Sequence, residues 1–301
     1  MISYAMTVYN KAAFLPLVLH WLDAEWQQTG GEIIIVNDGS TDDSAAVLDD
    51  FAGSRPHVRV IHQQNQGVSA ATNAGVQACR EQSIRLVDGD DLLLPGSTLA
   101  LHRAATQTGC TSAFGLWGDW TLASPPQAEE TTWSAPRVVT DPLRLALKSQ
   151  MFVPSSVLLG RKDADRIFPI GTTLRTSQDF VISLRLAVLG PVAALPQRVC
   201  VMGKDEHGLS RSKAKMYADS ARIIADHWQD WSPAHRRYAI RRNAQRAYLY
   251  ARRHLSLSGS EMARLQMLRL LSYLPLPVSE AAPQHIANSY AEALRSPQDY
   301  P

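Results

Sequence analysis

The chain has 301 residues, 45% of them hydrophobic, and a formal net charge of +2. That apolar share suits one large or two smaller globular domains, and so small a charge excludes a general nucleic-acid binder, which needs a strong basic excess. Three cysteines, Cys79, Cys110 and Cys200, lie far apart in no metal-ligand or redox spacing, the pattern of reduced thiols in a cytosolic protein.

The first element in chain order is a strand at residues 2–6, ISYAM. Apolar positions 14, 15, 18, 19 and 22 then recur at helical spacing, so residues 12–27 are expected to form a helix. A secretory leader is disfavoured there, because only Lys11 precedes the apolar run and Asp23 and Glu25 stand where small cleavage-site residues belong. A second strand, EIIIV at 32–36, closes on the turn signal NDGS, and Ser40 is expected to cap the following helix with Asp42 and Asp43 in its first turn. HVRVI at 57–61 reads as a third strand, 68–80 as a helix with a small-residue face, and SIRLV at 83–87 as a fourth strand.

That fourth strand ends in DGDD, with Asp88, Asp90 and Asp91 around Gly89. Such crowding of like charge calls either for a cation or for solvent. Strands alternating with helices imply a mostly parallel sheet covered on both faces. In such sheets ligands bind beyond the carboxyl ends of the strands, and residues 7–10, 37–40 and 88–91 all fall on that rim.

Residues 110–175 are less regular, with strands expected in SAFGLWGDWTL and SSVLLG. TSQDFVISLRLAVLG, 176–190, reads as a helix capped by Ser177 and closed by Gly190. From about residue 213 strand signals vanish, and three or four helices with arginine clusters follow. No apolar stretch reaches the ~18 residues of a membrane span, and no internal repeat is visible.

Five segments in this order and spacing resemble the family 2 glycosyltransferases of GT-A fold: AMTVYN (5–10), VNDGSTD (36–42), NQGVSAATNAG (65–75), DGDD before Leu-Pro-Gly, and the pair SSVLLGRK (155–162) with QDFVISLRL (178–186). The resemblance covers about residues 2–212. It implies a GT-A domain at 1–212, with a nucleotide-binding half at 1–109 and an acceptor half at 110–212, followed by a helical extension at 213–301. The implied activity is metal-dependent, inverting transfer from a nucleotide-diphosphate sugar, a UDP-sugar first, to a glycan, lipid-linked or polymer acceptor. The implied setting is the cytoplasm, with peripheral membrane attachment or self-association through the C-terminal helices as options.

The resemblance also distributes roles. Breaking the donor's glycosidic bond leaves extra charge on a diphosphate, which Mn²⁺ or Mg²⁺ stabilises as a Lewis acid, and such hard ions take carboxylate oxygens. Asp90 is the first metal ligand on this reading, and Asp91 holds the metal or its waters. Asp88 and Gly89 border the nucleotide sugar, with Asp88 facing the ribose. Asp38 accepts from the base, typically the uracil N3–H, and Thr7 and Tyr9 flank it. Asp179 is the base that takes the acceptor proton. His207 ligates the metal or meets the diphosphate, with Lys204, Arg211 and Lys213 as nearby cations. Each has a plain alternative: a solvated acidic turn, an ordinary turn before a helix, an acidic residue at a helix start, a structural histidine.

Two positions depart from the family pattern, Gln178 where Glu is usual and Thr72 where Arg is frequent, and Asn37 replaces a common Asp without an assigned role. Trp117 and Trp120 serve either the core or an acceptor cleft. A sugar-nucleotidyltransferase or a dinucleotide-dependent oxidoreductase would need a glycine-rich loop after the first strand, and TVYNKAAF has none. A nucleotide-sugar-binding assembly subunit without transfer activity is the non-enzyme alternative. Residues 204–254 hold twelve Lys or Arg against five Asp or Glu, which fits an anionic membrane face, a subunit interface or a solvated exterior.

Overall fold

Four nearly continuous apolar runs build the parallel half of one sheet. The computed structural model describes residues 1–127, 132–172, 177–204, 213–254, 259–271 and 273. Strand β1 (Ile2–Val8) pairs with β2 (Gly31–Asp38), β3 (Val58–Gln63) lies outside β2, and β4 (Ser83–Asp88) flanks β1 on its other side, all parallel. Parallel neighbours need crossovers, here α1 (Leu15–Thr29), α2 (Ser44–Gly53) and α3 (Val68–Ala78). Met6, Ile33, Ile34 and Ile35 are buried, as strands covered on both faces require.

The second half of the sheet is antiparallel in large part, so the whole is mixed. Beyond β4 come β5 (Leu92–Leu93), α4 (Ser97–Thr108), β6 (Ala113–Trp120), β7 (Arg137–Val139), α5 (Pro142–Lys148), β8 (Val157–Gly160), α6 (Arg161–Ile167), α7 (Gln178–Ala187) and β9 (Val192–Gly203). The strand order is β3-β2-β1-β4-β8-β6-β9-β5, with β7 on β9. β8 runs antiparallel to β4 and β6, whereas β6 and β9 are parallel. The apolar face of α1, with Leu15, Val18, Leu19 and Leu22, joins this core. Glu25 on the same helix is buried, and its carboxylate accepts from the Gly96 and Thr98 amides at 2.5 and 2.8 Å. It thereby satisfies orphan donors at the start of α4 and meets the positive end of that helix's dipole.

Two expected caps are not made. α2 begins at Ser44, and the Ser40 hydroxyl instead accepts from the Asn10 amide at 3.0 Å. Ser177 occupies the N-cap position of α7 with φ 64° and no side-chain cap bond. The left-handed backbone there turns its hydroxyl out of capping geometry, which needs an extended N-cap.

The chain divides into two compact units, residues 1–142 with 151–207, and residues 143–150 with 208–301. The second unit contains α8 (Lys213–His227), α9 (Pro233–His254) and α10 (Gly259–Leu271). No helix among the described residues is long and apolar enough to cross a membrane.

Candidate active site

Each parallel strand delivers a polar turn to one rim. At the end of β1, Asn10 adopts φ 52°. Its side chain accepts from the Thr41 amide at 2.7 Å and donates to the Thr41 hydroxyl at 3.2 Å. This ties the Tyr-Asn pair to the turn after β2. Thr7 is half-buried beside the pair, and Tyr9 is 46% exposed.

Asp38 closes β2 and is buried. Its carboxylate accepts from Gln63 Nε2 at 2.7 Å and from the amides of Gln66 and Gly67, each at 2.9 Å. Three donors leave part of its acceptor capacity, about four lone-pair sites, for a ligand. Gly39 next to it has φ 71°, and a side chain there would come within 2.6 Å of the Asn65 amide, so the turn requires glycine. Asn37 accepts from the Ser40 amide at 3.1 Å and bonds His62 at 3.0 Å, a turn-holding part that its sequence position did not reveal.

The acidic turn after β4 sends its three carboxylates in different directions. The Asp91 amide donates to Asp88 O at 3.0 Å, closing the turn. Asp90 meets a cation: Lys11 Nζ lies 2.7 Å from its Oδ2, with side chains 17% and 18% exposed. Asp91 faces inward, only 4% exposed, and takes the Ser155 hydroxyl and the Gly203 amide. Burial, then Asp88 and Asp90, hold its carboxyl well above the usual range. Asp88 stands between them, its Oδ1 3.4 Å from the Thr7 hydroxyl. Burial, followed by the charges of Asp90 and Asp179, pushes its carboxyl up to about 7. Gly89 packs beneath the end of β1, where a side chain would meet Thr7 O at 3.0 Å.

Several residues hold this turn from below. The Ser155 hydroxyl accepts from the Asp88 amide at 2.9 Å. The buried Trp120 donates its indole N–H to Asp90 O at 3.0 Å, so this tryptophan belongs to the core and supports the site from there. Gly203 lets β9 pass close, since a side chain on it would lie 2.4 Å from Asp90 O.

Helix α7 contributes Asp179 from its first turn, near enough to Asp88 to raise its pKa. Its Oδ1 accepts from the Phe180 amide at 2.8 Å, and a helix start favours its charged form. Gln178 beside it is bonded to Thr72 at 3.1 Å, both buried. The two positions that depart from the family pattern are therefore direct partners.

Residues 3–168, more than half of the chain, match glycosyl transferase family 2. The chain belongs to that family. Among curated relatives of this family 2 glycosyltransferase chain, an uncharacterised glycosyltransferase, EpsJ of Bacillus subtilis, is 35% identical over 149 residues, 47% of this chain and 41% of the relative. GlyG of Streptococcus pneumoniae is 39% identical over 117 residues, 38% of each chain. The matched stretch thus spans less than half the length of either relative. Among solved structures, S. aureus TarS in complex with UDP-GlcNAc superposes with a TM-score of 0.66 at 16% identity, over 98% of this chain and 90% of that one. A mannosyltransferase of Pyrobaculum calidifontis bound to GDP-Man and Mn²⁺ gives 0.57 at 15% identity, over 99% and 88%. The fold is GT-A.

The family 2 rim thus brings together Thr7, Tyr9, Asp38, Asp88, Gly89, Asp90 and Asp179 from four elements. Asp91 points away from the open side. His207 and Arg211 lie outside the described residues, and Lys204 pairs with Asp119 at 2.8 Å. No group of three or more His, Cys, Asp or Glu suited to a metal occurs among the described residues. Lys11 and Ser155 were passed over as site parts in the sequence; only the placement of Ser155 within a family segment hinted at either.

Proposed function

We propose that the chain transfers a sugar from a nucleoside-diphosphate sugar, a UDP-sugar first, to an acceptor hydroxyl with inversion at the anomeric carbon. One observation supports this: Asp179 in the first turn of α7 lies near enough to the acidic turn after β4 for its charge to act on Asp88, which puts a carboxylate able to serve as base beside the residues read as donor-binding. On this reading Tyr9 offers its ring to the base, Asp38 uses its remaining acceptor capacity on the base edge, and Asp88 with Gly89 borders the ribose. Asp179 removes the acceptor proton while the acceptor oxygen attacks the anomeric carbon; that carbon's bond to the diphosphate breaks, and the nucleoside diphosphate departs.

The donor set suits a hard divalent cation. Asp88 and Asp90 offer carboxylate oxygens; burial first, and then the charges of Asp90 and Asp179, push the Asp88 carboxyl up to about 7, and a dication would relieve the repulsive part of that shift. Asp90 would hold Mn²⁺ or Mg²⁺ with Asp88 beside it, while Asp91 buttresses the turn from within. When bound, the ion supplies charge stabilisation to the departing diphosphate. Support for a metal and a nucleotide sugar also comes from the mannosyltransferase crystallised with GDP-Man and Mn²⁺ and from TarS with UDP-GlcNAc.

Residues 1–212 form the transferase domain on this reading, with a nucleotide-binding half at 1–109 and an acceptor half at 110–212, and residues 213–301 are a helical extension. The acceptor is a glycan, lipid-linked or polymer hydroxyl presented in the cytoplasm. Calorimetric titration of UDP with Mn²⁺ and with EDTA, beside GDP and CDP, tests the donor side. Tight, Mn²⁺-dependent, uridine-selective binding is expected. GDP selectivity would overturn the donor, and absence of any nucleotide binding would overturn the enzyme reading. Uridine binding without turnover of any UDP-sugar would favour a nucleotide-sugar-binding assembly subunit.

A further inference from the structure

Helix α3 is seated tightly on the parallel half of the sheet. Ala71 is fully buried, and a side chain on Gly75 would lie 3.4 Å from Val36 Cγ2 and 3.7 Å from Ala5 Cβ. Small residues at these positions let the helix backbone approach β1 and β2, the strands that carry Thr7 and Asp38. Just before α3, the Gly67 amide donates to Asp38 itself. The helix is therefore registered to the donor side of the rim.

Its polar residues reach the other side. Asn73 makes two bonds to one backbone position: Nδ2 donates to Ile170 O at 2.9 Å, and Oδ1 accepts from the Ile170 amide at 2.8 Å. The single Thr72 hydroxyl proton lies between Val68 O at 2.8 Å and Gln178 Oε1 at 3.1 Å. From α7, Arg185 Nη1 donates to Ile167 O at 2.6 Å and to Pro169 O at 2.7 Å. Residues 167–170 are thus held by α3 and by α7 together, and Gln178 next to Asp179 is tied directly to α3.

From this geometry we infer that Thr72 and Asn73 are positioning residues for Asp179. Thr72 ties the first turn of α7, through Gln178, to the helix that is registered to the donor site, and Asn73 ties to that helix the 167–170 segment that Arg185 in the last turn of α7 also holds. The inference rests on the reading of Asp179 as base. A base displaced by about 1 Å loses roughly 10²-fold in rate, and side chains act this accurately only when packed neighbours and hydrogen bonds lock their support. The side-chain hydrogen bonds of Thr72 and Asn73 go to Val68, Gln178 and Ile170 and not to Tyr9, Asp38 or Asp90, so donor affinity is a separate quantity.

The test measures UDP release from UDP-GlcNAc, UDP-glucose and UDP-galactose and carries the one turned over into kinetics, with UDP affinity by calorimetry alongside. The variants are Asn73→Ala, Thr72→Val, Thr72→Ser and Asp179→Asn in the full chain. Asn73→Ala and Thr72→Val are expected to lower kcat by about 10- to 100-fold, with KM and UDP affinity within about two-fold of wild type. Thr72→Ser, which keeps the hydroxyl, restores most of the rate. Thr72→Val preserves shape and keeps the test valid where Asn73→Ala fails to fold. Wild-type kcat in Thr72→Val, or an effect confined to KM, overturns the positioning role. Full turnover by Asp179→Asn, or no turnover of any of the three donors by wild type, overturns the underlying reading of the base and donor as well.

Discussion

The Lys11 ammonium, 2.7 Å from Asp90 Oδ2, stands against the carboxylate that a divalent ion would use. On the proposed metal-dependent reading, ion pairing and metal ligation would compete for the same oxygen. Lys11→Met should tighten Mn²⁺ binding to the nucleotide-free protein by roughly five-fold, the equivalent of the ~1 kcal/mol of a partly exposed ion pair. Calorimetric titration with Mn²⁺ alone reads this, and unchanged or weaker affinity would show that the lysine does not compete. Asp38 makes the opposite point, that a carboxylate proposed to meet the base is also a structural part. Replacing it by Asn turns one acceptor oxygen into a donor facing the Gln63, Gln66 and Gly67 donors. A loss of about 1–3 kcal/mol is expected from the buried group left unpaired, measured as a lower denaturation midpoint with UDP absent. At this scale the sequence displays residue types but not partners. The turn chemistry of Asp38-Gly39 was legible; the three donors on its carboxylate were not, because they come from residues 63–67, brought in by the pairing of β2 with β3.

Elements carry their own electrostatics, and the contact of α1 with the start of β3 is one case. His57 stacks on Trp26 with ring centroids 3.3 Å apart and planes 5° from parallel, and Asp23 lies 3.7 Å from its Nε2. Burial lowers the His57 pKa, and the Asp23 charge opposes that shift without cancelling it. The folded chain therefore binds the imidazole proton less readily than the unfolded chain. Stability from this group is present above the unfolded pKa, ~6.5, and is lost as pH falls through the window below it. His57→Gln should flatten the dependence of Tm on pH between about 6.5 and 5; an unaltered slope would assign it to other groups. The parallel strands and α1, α3 and α7 were visible in apolar periodicity because each buries a regular face. β7 and the long β9 were not, since their pairing depends on partners distant in sequence, and Pro196 and Arg198 interrupt any local pattern in β9.

At the scale of the whole molecule, the arginine-rich α9 distinguishes two meanings of positive charge. Arg236 donates to the carbonyls of Trp228, Gln229 and Trp231, while Arg242 and Arg246 donate to Lys148 O at 2.7 and 2.9 Å. Arg144 and Arg241 lie over the Tyr238 ring at 5.0 and 5.5 Å. These guanidinium groups act as planar multi-donor connectors inside the second unit, while Arg222, Arg237 and Arg252 are exposed, so much of the arginine charge of α9 is engaged by the protein itself. Flotation with vesicles containing anionic phosphatidylserine should therefore recover no more protein than flotation with neutral vesicles. A salt-sensitive gain with the anionic vesicles would restore the membrane-surface reading.

The amino-acid sequence by itself determined the family, the parallel half-sheet and the rim to which its polar turns are delivered. The family followed from the resemblance of ordered motif segments, and the half-sheet and rim from local patterns: short β-branched and apolar runs alternating with helical ones, and polar turns at the strands' carboxyl ends. Tertiary structure alone decided which carboxylate faces Lys11, which turns inward to Ser155, and that Thr72 and Gln178 are partners across 106 residues. Such contacts depend on where separate elements meet in space, and a linear pattern of residue types records each partner without recording the meeting.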